Sequence, residues 1–118
     1  MKNKNFFQSV KKATKGLFQA IRKEKNFKIY FLNVFITLVL NIVFKFTLTQ
    51  YILWFLTIIG VYSAECFNTV AECICDKITK EFDRDIRYIK DVAAGGVLCW
   101  GIAFYLTEIV MVFYNVIT

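Results

Sequence analysis

No histidine and no proline occur among the 118 residues, and only five glycines and four cysteines do. Without histidine the chain has no imidazole to serve as a base or a metal ligand, so acid–base work falls to carboxylates or lysines. Cys66, Cys73, Cys75 and Cys99 lie within apolar segments or at their ends with no paired Cys-x-x-Cys spacing, which reads as small core residues rather than a metal or disulfide framework. Neither a Gly-x-x-x-x-Gly-Lys-[Ser/Thr] loop nor a protein-kinase glycine-rich loop is present, which removes both standard phosphate cradles.

What the chain has in quantity is apolar surface. Hydrophobic residues make up 58% of it, 13 of them phenylalanine, and the mean hydropathy is +0.51. This is one domain, too apolar to fold in water at this size, and the bilayer is its expected solvent. The net charge of +6 comes from basic residues that flank apolar segments. That pattern fits anionic lipid headgroups and an inward bias of positive charge, not nucleic acid.

The expected fold is an all-α membrane protein: an N-terminal amphipathic surface helix over 1–28 and three transmembrane helices over 29–48, 51–76 and 91–117. Residues 2–28 hold nine Lys/Arg and one acid, Glu24, with Phe6, Val10, Leu17 and Ile21 on one face and Lys11, Lys12, Lys15 and Arg22 opposite. In the first span, Asn33, Thr37 and Asn41 recur every four residues and predict hydrogen bonds to a neighbouring helix. Lys45 is expected to snorkel outward from its end. Residues 77–90 read as a charged cytoplasmic loop, with Lys90 and Asp91 opening the last span. The side-chain-poor run Ala93, Ala94, Gly95 and Gly96 permits close helix approach. Glu108 in that span has no functional account. The distribution of positive charge gives an inside N-terminus, an outer link near 46–50, an inner loop and an outer C-terminus.

The chain is organised around Tyr62 to Asp76. At about 100° per residue, Glu65, Asn68, Glu72 and Asp76 share one narrow helical stripe. A carboxylate near mid-bilayer costs about 2.5–3.5 kcal/mol even on insertion scales, so the stripe needs a partner, a cation or water. Aligned acids also suit a divalent metal on oxygen ligands, which commonly brings a phosphate with it. The second span exceeds the hydrocarbon thickness, so the stripe runs from shallow lipid at Glu65 to water at Asp76. Three spans enclose a polar site poorly, which predicts an oligomer whose neighbours cover it.

Glu65-Cys-Phe-Asn68-Thr-Val-Ala-Glu72 with Asp76, then Ile89-Lys90-Asp91-Val-Ala-Ala94-Gly-Gly-Val-Leu98, resembles the signature of the small prokaryotic diacylglycerol kinase and undecaprenol kinase family. The opening Phe6, Ser9, Ala13 and Gly16 is similar to that family as well. The resemblance implies a homotrimer with active sites shared between subunits, and ATP-dependent phosphorylation of a lipid alcohol, with undecaprenol favoured over diacylglycerol. It implies Glu65 as the base for the lipid hydroxyl, with Ala94 also at the substrate. Asn68 would orient Glu65 or the γ-phosphate, and Glu24 and Glu72 would hold Mg²⁺ on ATP. Lys90 would neutralise developing charge, with Asp76 and Asp91 fixing Lys90 or contacting the nucleotide. Two rivals come from other classes. A small proton-coupled transporter would use Glu65 alone, and a non-catalytic assembly subunit would turn over no ATP.

Overall fold

A computed structural model describes residues 5–118 and is entirely helical: α1 (Phe6–Lys23), α2 (Asn26–Val43), α3 (Leu48–Ile78) and α4 (Arg84–Ile117). The last three are long and apolar enough to cross a membrane. At 1.5 Å per residue, α2 is about 27 Å long, α3 about 46 Å and α4 about 51 Å, against a hydrocarbon core of about 30 Å. The two long helices therefore extend beyond any bilayer that α2 just spans.

Local chemistry fixes the boundaries, and it moves several of them. The Asn5 side chain accepts from the Gln8 backbone N–H at 2.8 Å and starts α1. The expected single helix over 1–28 is broken: α1 ends at Lys23, Glu24 and Lys25 form the link, and Asn26, Phe27 and Lys28 belong to α2. Residues 1–4 of that expected helix lie outside the described residues.

α2 stops at Val43 rather than continuing to Leu48, because Lys45 adopts φ 55° and the chain reverses. The Lys45 N–H bonds the Ile42 carbonyl at 3.2 Å and the Phe46 N–H bonds the Asn41 carbonyl at 3.0 Å. This is a Schellman motif with lysine where glycine is usual. α3 begins three residues earlier than expected, because Thr47 and Gln50 form a capping box, the Thr47 side chain accepting from the Gln50 N–H and the Gln50 side chain from the Thr47 N–H. At the other end Asp83 caps α4 by accepting from the Asp85 and Ile86 N–H groups, both at 3.0 Å, so α4 starts at Arg84 and not at Asp91. Lys90 thus lies within a helix and not at its start.

α3 and α4 pack along much of their length as an antiparallel pair, with α2 against both and α1 touching only α2 and α3. The core joins Phe46, Trp54, Val61, Phe104 and Met111. Gly60 lets the Trp100 indole lie directly on α3, where a Cβ would collide with the ring. Large side chains such as Leu32, Phe35, Ile42, Ile102 and Phe113 point away from the bundle, as a lipid-facing surface requires. At the far end Gln50 and Asn115 exchange reciprocal amide hydrogen bonds of 2.9 Å, and Asn115 also donates to the Phe44 carbonyl at 3.0 Å.

Candidate active site

The acid stripe survives as one face of α3, graded in burial. Glu65 is 2% exposed and Asn68 6%, whereas Glu72 and Asp76 are exposed. The face thus runs from a dry interior to an open end within three helical turns.

At the buried end each oxygen of Glu65 has its own donor from α2. Asn26 Nδ2 donates to Oε1 at 3.2 Å, and the Tyr30 hydroxyl donates to Oε2 at 3.0 Å. Asn26 reaches because it is the first residue of α2, immediately after the break at Glu24 and Lys25. Tyr30 is flanked by two rings: Phe27, fully buried, meets it nearly perpendicularly at 5.9 Å, and Tyr62 lies tilted at 6.0 Å. Below this group a cavity of about 70 Å³ is lined by Tyr30, Val34, Val61, Tyr62, Gly101 and Phe104 among others.

One turn up, Asn68 Nδ2 donates to Glu72 Oε1 at 3.0 Å. The Asn68 carbonyl oxygen and the Thr69 hydroxyl are both buried without a hydrogen-bond partner. Such groups cost about 1–3 kcal/mol each if left unmet. At the open end Lys90 Nζ meets Asp76 Oδ1 at 2.9 Å, tying α4 to α3.

The sequence-predicted residues therefore gather in three groups: Glu65 with Asn26 and Tyr30, Asn68 with Glu72, and Asp76 with Lys90. Others stay apart. Asp91 pairs with Arg87 at 3.4 Å rather than with Lys90. Glu24 caps α1 through its backbone and is half-buried. Ala94 is exposed on α4. Among the described residues no three acids or cysteines gather as a metal cluster. Sequence reasoning passed over Asn26 and Tyr30 as partners of Glu65. Their signal was the polar stripe of α2, which continues upward from Asn33 at the same helical spacing.

Residues 11–113 match the prokaryotic diacylglycerol kinase family. The chain belongs to that family. Its membership makes this a membrane lipid kinase, for which ATP is the implied co-substrate. The undecaprenol kinase of Bacillus subtilis (strain 168) is 29% identical over 97 residues, which cover 82% of this chain and 79% of that protein. No solved structure matches the chain.

Proposed function

We propose that this lipid kinase transfers the γ-phosphoryl group of ATP to the primary hydroxyl of a membrane lipid alcohol, giving the lipid monophosphate and ADP. The observation that carries the reading is the graded face of α3, where a buried carboxylate with both oxygens aimed by α2 stands beneath a turn of unmet polar groups and an exposed acid–lysine pair. Phosphoryl transfer asks mainly for positioning and charge neutralisation, and this face can supply both.

In this mechanism Glu65 accepts the proton of the alcohol as its oxygen attacks phosphorus. The Tyr30 hydroxyl already donates to Oε2 in the way a substrate hydroxyl must. The alcohol takes that place, Tyr30 yields it, and Asn26 keeps Oε1 oriented. The first carbons of the lipid lie along the apolar cavity beneath Tyr30. Asn68, with a free buried oxygen, holds the hydroxyl or aligns Glu65, while Lys90 turns from Asp76 toward the phosphates. Asp91 and Asp76 contact the nucleotide or steady that lysine, and Ala94 leaves room for the lipid.

The donor set fits a magnesium ion that arrives on the nucleotide, because Mg²⁺ keeps waters and phosphates and takes only one or two carboxylates. Glu72, exposed and with one oxygen engaged by Asn68, and Glu24 from the α1–α2 link would be those carboxylates. The ion would supply charge neutralisation on the phosphates. We assign the assembly as a homotrimer in which neighbouring subunits complete each site. In it α1 lies on the cytoplasmic surface against anionic headgroups, the site opens to the cytoplasm and the C-terminus lies outside.

Undecaprenol is favoured as the alcohol, supported by the Bacillus relative and by the Ser9 to Gly16 opening. Proton-coupled transport would employ Glu65 but leave Glu72, Asp76 and Lys90 without a task. Purified protein incubated with labelled ATP, Mg²⁺ and separate panels of polyprenols and diacylglycerols tests the reading. Label in polyprenyl phosphate is the expected result, label in phosphatidate reverses the substrate preference, and label in neither overturns the phosphoryl-transfer mechanism.

A further inference from the structure

Among the described residues, Glu108 is the buried acid that neither the stripe on α3 nor the family pattern accounts for. It is 5% exposed, well inside α4. Facing it is Asn41 of α2, fully buried, whose amide, turned so that nitrogen faces acceptors, lies 2.6 Å from Oε2 and 3.2 Å from Oε1 of Glu108 and 2.8 Å from the Thr37 carbonyl. One turn away, Trp54 Nε1 of α3 donates to Thr37 Oγ1 at 2.9 Å. Among the described residues no ion pair reaches Glu108. An acid in an apolar helix without a cation is expensive, so its hydrogen bond must do something that leucine would not.

The geometry of α2 says what. Asn26, Tyr30, Thr37 and Asn41 fall within about 60° of one another around the helix axis. The bonds that aim Glu65 and the bond to Glu108 thus sit at two ends of one rigid rod, about 22 Å apart. Only Phe27, Thr37 and Asn41 of α2 are buried. Apolar packing within lipid gives such a helix little preference for one rotation, whereas polar pairs worth about 0.6–2 kcal/mol each do. A slip of one residue turns the stripe by about 100° and carries Asn26 and Tyr30 away from Glu65.

We propose that Glu108 is a positioning residue: its bond to Asn41 sets the rotation and height of α2 against α4, so that Asn26 and Tyr30 meet the carboxylate of Glu65. The inference rests on the reading of Glu65 as the base, and two independent measurements separate the two ideas.

The first is turnover per nucleotide-binding chain. Glu108→Leu and Asn41→Leu are each expected to lower kcat about ten- to a hundredfold with little change in KM for ATP, since a misplacement of about 1 Å is enough. Glu108→Gln, which still accepts from Asn41, is expected to recover most of that loss. The double leucine variant is expected to be no worse than the worse single one. Wild-type turnover in the leucine variants, a Gln variant as poor as Leu, or losses that multiply in the double variant each overturn the proposal. Should Glu108→Leu not accumulate, Asn41→Leu against Glu108→Gln carries the same comparison.

The second needs no catalysis. Spin labels at the exposed positions Ile29 and Phe67, with native cysteines replaced, report the start of α2 against α3. One narrow distance is expected in the wild type and Glu108→Gln, and a shifted or broadened one in Asn41→Leu. An unchanged distance there overturns the proposal, whereas absence of lipid phosphorylation by the wild type would remove the catalytic reading and leave this measurement standing.

Discussion

At the scale of single residues, Glu65 and its two donors separate chemistry from architecture. Glu65→Gln keeps the volume but removes the proposed proton acceptor, so transfer should fall by more than about a hundredfold while ATP binding, assigned to the open end of the face, persists. Binding of a labelled nucleotide beside the transfer assay checks this, and loss of nucleotide binding would move Glu65 to the metal. Asn26→Leu removes the donor to Oε1 and should lower kcat about tenfold. Tyr30→Phe keeps the ring packing against Phe27 but removes the hydroxyl that occupies Oε2. If that hydroxyl holds the place of the substrate, the variant should show a lower KM for the lipid with kcat retained. A KM that rises would instead make Tyr30 part of the lipid site. Neither was paired with Glu65 from the sequence for a physical reason: helical spacing puts Asn26 and Tyr30 on the polar face of α2 but does not say which helix that face meets. Only the partner across the helix interface gives either one a role.

Among the elements, the helices themselves were legible and their ends were less so. The apolar runs of α2, α3 and α4 mark three helices long and apolar enough to cross a membrane whatever the details. Ends are set by one or two side chains, such as Asp83 at α4 or the Thr47 and Gln50 pair at α3, whose competition with a simple hydropathy boundary is invisible until the caps are seen. Lys45 is the clearest case. A lysine at an apolar boundary suggested a snorkelling side chain on a continuing helix, yet the backbone turns left-handed there. Lys45→Val should therefore destabilise the protein by about 1–2 kcal/mol, because a β-branched residue fits that conformation poorly, whereas Lys45→Gly should be neutral or slightly stabilising. Unfolding in a series of denaturing detergent mixtures measures both. Gly60→Val should likewise cost about 1–3 kcal/mol by displacing Trp100 from α3, with Gly60→Ala less severe.

For the whole molecule, the acid stripe and the polar stripe of α2 were both readable as periodic patterns, but not that they meet: periodicity says which residues share a face and nothing about which face they oppose. The assigned orientation has its own test. In a cysteine-free background, a membrane-impermeant thiol reagent applied to intact cells should label Thr118→Cys and spare Glu81→Cys, and the reverse pattern would invert the topology. The contact between Tyr30 and Glu65 also reaches into pharmacology. On the proposed mechanism, an enzyme that already cradles a phenol against its acid is open to a blocker of the same shape: an amphiphile with a lipid-like tail and a phenolic head, which presents the same O–H but gives up its oxygen as a nucleophile far less readily than an alkanol does.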